Sequence, residues 1–191
     1  MVSVLSWVYF PISITGREHI ASQGGFIIAC NHHSYLDPVI MGSIMGRPIS
    51  YMARESLFRN WLFARIMRAL GAFPVNRNTA DIRSLREAMR RIRNGIPVCV
   101  FPEGTRLATS REKGNPGIGF LAVKTGVPVI PVFIRGSDHV LPPGAKWFRR
   151  KRVDVLIGKP MWFTKSQNYT EIVHQIMQTV RALPTNAMRT L

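Results

Sequence analysis

The chain has 191 residues, 46% of them hydrophobic and 19% charged, which is the composition of one globular domain and excludes a disordered chain. Its 26 lysines and arginines outnumber 10 acidic residues, and the formal net charge of +16 indicates an anionic partner: nucleic acid, an anionic lipid surface or an acidic substrate. The two cysteines form no close pair and have no Cys/His spacing around them, which argues against a disulfide framework and against a zinc site.

The first sixteen residues carry no charge, because the first charged residue is Arg17. This stretch is shorter than the ~20 apolar residues that span a bilayer, and it lacks the positive start of a signal peptide. We treat residues 1–15 as an apolar N-terminal segment and residues 16–191 as a single domain. The segment either lies in a membrane interface through its aromatic residues or packs on the core as a strand or helix.

Apolar runs and helical periodicity alternate along the rest of the chain. The runs predict strands at 26–30, 48–53, 72–75, 97–101, 127–134 and 152–158. The periodicity predicts helices from Asp37 to about Met45 and at 60–70, 79–94, 116–125 and 169–183. In the third helix the predicted apolar stripe is Ile82, Leu85, Met89 and Ile92. This alternation predicts an α/β layered domain with a largely parallel sheet flanked by helices.

Ligands of such sheets bind beyond the carboxyl ends of the strands. Three unusual polar segments each follow a predicted strand: "NHHSYLD" (31–37), "VNR" (75–77) and "FPEGTR" (101–106). We therefore expect all three to line one edge of the sheet.

His32 and Asp37 are too far apart in sequence to meet on a regular helix or strand, but a strand–turn–helix corner can fold the aspartate back onto the imidazole. One oxygen of Asp37 would cap the helix and the other would hold the imidazole N–H, so that the second ring nitrogen could accept a proton. The alternative is that Asp37 is only an N-cap beside solvated histidines. Ser34 lacks the nucleophile elbow of serine hydrolases, so a substrate hydroxyl is the better candidate for activation.

The segment "FPEGTR" combines a glycine, whose backbone can approach a ligand, with a carboxylate, a hydroxyl and a guanidinium. Together, Arg77 and Arg106 would suit a phosphate, since guanidinium groups bind phosphate oxygens in pairs. Glu103 could hold a polyol hydroxyl. Each arginine taken singly is equally compatible with a solvated strand end.

Over residues 16–160 the sequence resembles the glycerolipid acyltransferases of the lysophosphatidate acyltransferase type. "NHHSYLD" resembles the family's histidine–four residues–aspartate motif, with His32 and Asp37 in the paired positions. "GAFPVNR" (71–77), "FPEGTR" (101–106) and "VPVIPV" (127–132) resemble its second, third and fourth blocks in order. The chain departs from the family at Leu107, where serine is common, and in its short N-terminus.

The resemblance implies that His32 is the general base and that Asp37 orients it. It implies transfer of an acyl group from acyl-CoA or acyl carrier protein to lysophosphatidate, giving phosphatidate, without a covalent acyl-enzyme, a metal or a cofactor. The residues implied to hold the glycerol phosphate are Arg77, Glu103, Gly104, Thr105 and Arg106. Glycerol 3-phosphate or another lysolipid is the alternative acceptor.

The excess positive charge then has a use at an anionic membrane surface. Residues 47–70 interleave arginines with large apolar residues, which fits an interfacial amphipathic segment or an ordinary helix facing the core. Residues 146–152, "KWFRRKR", could contact lipid headgroups or an acidic carrier protein, or form a plain surface loop. We expect attachment to the cytoplasmic face of a membrane. A nucleic-acid-binding role would leave "NHHSYLD" and "FPEGTR" unexplained, so we expect no nucleic-acid partner.

Overall fold

A computed structural model describes residues 11–76, 81–103, 116–142, 147 and 149–188. Its strands are β1 (Ile12–Thr15), β2 (Ile27–Cys30), β3 (Ser50–Arg54), β4 (Ala72–Val75), β5 (Val98–Val100), β6 (Val129–Arg135) and β7 (Val153–Ile157). Its α-helices are α1 (Asp37–Ile44), α2 (Trp61–Ala69), α3 (Ile82–Arg93), α4 (Gly117–Thr125), α5 (Ser137–Val140) and α6 (Tyr169–Met188). Two 3₁₀ turns, Arg17–His19 and Glu55–Phe58, complete the described elements.

The strands form one sheet in the order β1-β7-β6-β2-β5-β3-β4. From β6 to β4 all neighbouring strands run parallel, whereas β7 pairs antiparallel with β6, and β1 pairs parallel with β7. The predicted α/β architecture with a largely parallel sheet is therefore confirmed. Its two strands of opposite direction lie together at one side of the sheet.

The helices cover both faces of the sheet, as the near-continuous apolar strands require. Ile40 and Met41 of α1 pack on one face, where Met67 of α2 joins the same apolar cluster. Helices α3, α4 and α6 pack on the other face, where Ile172 and Ile176 of α6 are fully buried. The loops between strands and helices are thus left to form the edges of the sheet.

Helix α3 is tied to the sheet by charged side chains. Arg90 and Arg91 both donate hydrogen bonds to the carboxylate of Glu87. These bonds, that of Arg90 first, lower the pKa of Glu87 from its ordinary 4.5 to about 2. Arg91 also donates to the Ser50 hydroxyl and to the Gly71 carbonyl oxygen, at 2.8 and 2.9 Å. One arginine thereby links α3 to the starts of β3 and β4.

Several boundaries differ from the sequence-based expectations. Residues 12–15 of the apolar N-terminal segment form the edge strand β1 of the sheet, which agrees with the alternative that this part packs on the core as a strand. Ile82, expected in the core stripe of its helix, is 60% exposed. The buried positions of α3 are Ser84, Ala88 and Ile92. The polar Ser84 can be buried because its hydroxyl donates a hydrogen bond to the Asp81 carbonyl oxygen.

Within the described residues, none of the helices combines the length and the apolar character needed to cross a membrane.

Candidate active site

The carboxyl ends of β2, β5 and β4 lie on the same edge of the sheet, because these strands belong to its parallel part. The edge carries the described residues Asn31–Asp37 after β2, Phe101–Glu103 after β5, and Asn76 after β4. β5 is the direct neighbour of β2, whereas β3 separates β5 from β4. Four of the predicted site residues lie outside the described residues: Arg77, Gly104, Thr105 and Arg106.

The strand–turn–helix corner brings His32 and Asp37 together. Nδ1 of His32 lies 2.9 Å from Oδ2 of Asp37. The same oxygen accepts hydrogen bonds from the backbone N–H groups of His33 and Ser34, both at 2.8 Å. Asp37 is completely buried, and the side chain of His32 is 15% exposed. A buried carboxylate thus fixes the turn and the imidazole with one atom.

The prediction that one oxygen of Asp37 caps the helix while the other holds the imidazole is wrong, because Oδ2 makes all three hydrogen bonds. Asp37 is the first residue of α1, and the residue at the N-cap position is Leu36. The side chain turns back to the loop, because the amides of His33 and Ser34 lie between β2 and α1 and need an acceptor outside both elements. Oδ1 has no hydrogen-bond partner within the described part of the chain.

The carboxylate determines which nitrogen of His32 is available. Because an ionised carboxylate only accepts hydrogen bonds, Nδ1 carries the proton and Nε2 keeps a free lone pair. The imidazole also stacks on Phe101, with ring centroids 4.2 Å apart and planes 26° from parallel. Stacking on Phe101, directly after β5, and bonding to Asp37 therefore hold one ring orientation, which suits a general base.

His33 is held in the opposite tautomer by Asn31. The Asn31 amide oxygen accepts from the backbone N–H of Ile134 at 2.7 Å, and its nitrogen donates to the Ile134 carbonyl at 2.8 Å. The same amide nitrogen lies 3.3 Å from Nδ1 of His33, which must accept because an amide NH₂ only donates. His33 is thus linked through Asn31 to the backbone of β6.

Asn31 is the residue of this corner that sequence reasoning missed. The sequence suggests only a turn residue, but the side chain is 3% exposed and replaces a pair of backbone hydrogen bonds between the end of β2 and β6. The available signal was its position, since an asparagine directly after a fully buried strand needs partners for its amide.

Neither Cys30 nor Ser34, the thiol and the hydroxyl at this corner, is suited to act as a nucleophile. Burial, followed by the nearby Cys99 and Asp37, raises the pKa of the Cys30 thiol well above its ordinary value, so the thiolate is not formed near neutrality. The Ser34 hydroxyl accepts a hydrogen bond from the Leu36 N–H and is buried. No three histidine, cysteine or acidic side chains among the described residues are grouped so that they could hold a metal ion.

Glu103 follows β5 but points toward the last helix. Its Oε1 lies 4.0 Å from a guanidinium nitrogen of Arg181 in α6, and its Oε2 is buried without a hydrogen-bond partner among the described residues. The structure therefore brings Glu103 to the same sheet edge as His32, in contact with α6. Whether a ligand hydroxyl reaches it stays a prediction.

Comparison with known proteins supports the expected family. Residues 11–135 match the family model described as Acyltransferase. The chain is 28% identical over 152 residues to a 1-acyl-sn-glycerol-3-phosphate acyltransferase of Bacillus subtilis, covering 78% of this chain and 73% of the relative. It is 33% identical over 135 residues to a probable enzyme of the same name from Mycoplasma pneumoniae, covering 66% of this chain and 50% of the relative.

The solved structures give the same result at the level of the fold and its sequence. The crystal structure of the 1-acyl-sn-glycerophosphate (LPA) acyltransferase PlsC from Thermotoga maritima superposes with a TM-score of 0.70 at 26% identity, covering 94% of this chain and 74% of that one. A chloroplastic relative from Brassica napus is 27% identical over 86% of this chain, which spans only 49% of that relative. The chain thus covers about half to three quarters of the relatives it matches.

Proposed function

This chain belongs to the acyltransferase family, and we propose that it transfers a fatty acyl group to the free hydroxyl of 1-acylglycerol 3-phosphate, giving phosphatidate for phospholipid synthesis. The observation that carries the proposal is the hydrogen bond of 2.9 Å between His32 and the buried Asp37 at the carboxyl edge of the sheet. The names of the Bacillus and Thermotoga relatives support the choice of acceptor.

In the proposed reaction, Nε2 of His32 accepts the proton of the acceptor hydroxyl as its oxygen attacks the thioester carbonyl carbon. The negative charge of Asp37 stabilises the imidazolium that forms. The tetrahedral intermediate then collapses with cleavage of the carbon–sulfur bond. The leaving thiolate takes the proton back from His32, so the histidine is restored and no acyl-enzyme is formed. The raised pKa of the Cys30 thiol, and the burial of the Ser34 hydroxyl with its hydrogen bond from the Leu36 N–H, support direct transfer from the thioester to the acceptor without a covalent acyl-enzyme.

The phosphate of the acceptor is proposed to bind Arg77 and Arg106, with Gly104, Thr105 and Glu103 completing the contacts to the glycerol phosphate. Their segments follow β4 and β5, whose carboxyl ends lie on the same sheet edge as His32. Two guanidinium groups suit a phosphate dianion because each can form paired hydrogen bonds to its oxygens. Glu103 would have to turn from Arg181 toward the ligand to contribute.

The acyl donor is proposed to be a thioester of coenzyme A or of acyl carrier protein, and the chain itself needs no cofactor in this mechanism. We further propose that the protein acts on the cytoplasmic face of a membrane, where both lipid substrate and lipid product reside. Its net charge of +16 favours an anionic lipid surface.

A direct assay tests the proposal. Purified protein is given labelled acyl-CoA or acyl carrier protein together with lysophosphatidate, glycerol 3-phosphate or a lysolipid without a phosphomonoester. We expect labelled phosphatidate from lysophosphatidate, and its loss in His32→Ala. Transfer to glycerol 3-phosphate or another lysolipid in preference to lysophosphatidate would contradict the acceptor assignment, and transfer that persists in His32→Ala would contradict the mechanism.

A further inference from the structure

Helix α2 presents large apolar side chains to solvent. Trp61 is 75% exposed, Leu62 is 53% exposed and Ile66 is 46% exposed, and Phe63 beside them is also exposed. Only Ala64 is buried in this helix, and Met67 packs partly against the core. A nine-residue helix that leaves four large apolar residues in water is poorly explained as a core helix, since such residues are normally buried.

The exposed surface of α2 is divided into an apolar stripe and a basic stripe. At 3.6 residues per turn, Leu62 and Ile66 share one line along the helix, with Phe63 beside them. Arg65 and Arg68 share the neighbouring line, three residues apart. The Arg68 guanidinium lies 5.7 Å from the ring centroid of Phe58, which holds it near the surface of the preceding 3₁₀ turn. The two stripes lie side by side along the exposed part of the helix.

Helix α2 begins at the carboxyl edge of the sheet. The 3₁₀ turn Glu55–Phe58 leaves the carboxyl end of β3, and α2 then runs back to the start of β4. The first turn of α2 is therefore at the sheet edge that carries His32. α2 also packs on the same face of the sheet as α1, the helix that begins with Asp37. The opposite face of the sheet is covered by α3, α4 and α6.

We propose that the exposed surface of α2, consisting of Trp61, Leu62, Phe63, Arg65, Ile66 and Arg68, docks on an anionic phospholipid bilayer. Apolar side chains insert below the headgroups, and the arginines contact the lipid phosphates. This layout is that of an interfacial helix, with an apolar flank next to an arginine-rich flank. With α2 lying in the membrane plane, its first turn and the carboxyl edge of the sheet lie beside the bilayer that supplies the lipid acceptor, and in this respect the proposal rests on the proposed function.

A bilayer fits this surface better than an acidic protein does. The arginines alone would suit either partner, because both are anionic. The exposed tryptophan, phenylalanine and branched apolar side chains, however, lose the most contact with water in a hydrocarbon layer that closes around them. The exposed Trp61 at the end of the helix has the position of an aromatic anchor at a membrane interface.

The chain offers matched control variants on α3, which lies on the opposite face of the sheet. Ile66→Ser is compared with Ile82→Ser, since both isoleucines are about half exposed, at 46% and 60%. Arg65→Gln/Arg68→Gln is compared with Arg86→Gln/Arg93→Gln, which removes the same charge from exposed positions of α3. Thermal unfolding of each variant checks that it is folded before its binding is measured.

Flotation with vesicles of phosphatidylcholine, alone or mixed with phosphatidylglycerol, tests the proposal. Arg65→Gln/Arg68→Gln should weaken binding to the anionic vesicles about 25-fold, at about fivefold per arginine. Ile66→Ser should weaken binding about 3- to 10-fold, as expected for about half of an isoleucine side chain. Raising the salt from 0.1 to 1 M shortens the screening length from about 10 to 3 Å and should reproduce most of the arginine effect.

Equal losses in the α2 and α3 variants, or unchanged vesicle binding by both α2 variants, would overturn the proposal. So would a result in which Arg65→Gln/Arg68→Gln keeps full vesicle binding but loses affinity for acyl carrier protein. Activity on detergent-dispersed acceptor separates this proposal from the proposed function. A protein that binds vesicles through α2 but transfers no acyl group would leave the docking surface standing and refute the transferase assignment.

Discussion

Replacing Asp37 by asparagine should remove a charge while keeping the geometry around His32. The Oδ2 position accepts from the imidazole and from two backbone N–H groups, at 2.8 to 2.9 Å. An amide NH₂ turned to that position would face three donors, so the amide oxygen should occupy it. The tautomer of His32 is then preserved, and the stabilisation of the imidazolium is lost. The amide NH₂ takes the place of Oδ1, which is buried without a partner among the described residues, so the variant also loses some stability.

The size of that loss follows from Coulomb's law. Two unit charges about 4 Å apart attract each other by ~4 kcal/mol at an effective dielectric constant of about 20. At 1.36 kcal/mol for each factor of ten, kcat should fall by about 10³-fold. KM for both substrates should change little, because the imidazolium exists only after proton transfer begins.

Asp37→Ala is the informative companion variant. It removes the charge and also the acceptor of the N–H groups of His33, which is partly buried, and Ser34, which is buried. A buried N–H group that is left unpaired costs ~1–3 kcal/mol. We therefore expect its midpoint of thermal unfolding to lie well below that of Asp37→Asn. Steady-state kinetics are measured at a temperature where circular dichroism shows both variants to be folded.

A folded Asp37→Asn protein that retains more than about a tenth of the wild-type kcat would refute the electrostatic reasoning, since the expected loss is about 10³-fold. A variant with unchanged kcat and raised KM for lysophosphatidate would assign Asp37 to substrate binding instead. Equal thermal midpoints for the asparagine and alanine variants would show that the two backbone hydrogen bonds contribute nothing to stability.

The two histidines should differ: His32→Ala should lower kcat about 10²- to 10⁴-fold, whereas His33→Ala should keep a substantial part of the activity, and the reverse order in the same assay would overturn the assignment. Arg77→Ala and Arg106→Ala should each raise KM for lysophosphatidate more than KM for the acyl donor, with lysine a partial substitute; an unchanged acceptor KM in both variants contradicts a phosphate role. Glu87→Gln should destabilise the protein most above about pH 5, because the folded pKa of about 2 lies below the ordinary 4.5 and the stabilising bonds are lost as the pH falls between them. Urea unfolding at pH 7 and near pH 2.5 measures that difference, and a gap that is the same at both values refutes it.

Much of the fold could be predicted because its signals are local. Strand β4 has the predicted bounds, and α2 ends where Gly71 adopts a φ of +81°, at a place where an added Cβ would meet the Ile49 carbonyl. Strand β1 could not be predicted with the same ease, because what makes it a strand is β7, far away in sequence. The opposite direction of β7 is likewise set by packing, since an apolar run has no direction.

The candidate site was predictable in its residue types but not in its hydrogen bonding. The spacing of His32 and Asp37 predicts a corner, and the corner exists. The hydrogen bonds that Asp37 accepts from the backbone N–H groups of His33 and Ser34 could not be predicted, because they depend on the path of the turn. The role of Asn31 could not be predicted either, since nothing local shows that its amide meets the backbone of Ile134 on β6.

The pairing of β1 with β7 has a consequence for folding while the chain is being synthesised on the ribosome. His19, just after β1, contacts the Ile157 carbonyl 138 residues later in the chain. At about 5–20 residues per second, synthesis of that interval takes roughly 7–28 s. During this time β1 has been made but its partner has not, so Ile12, later a buried residue, stays accessible. A chaperone has that interval in which to bind the nascent chain, because β1 pairs with β7 alone among the described strands and cannot join the sheet before β7 has been made.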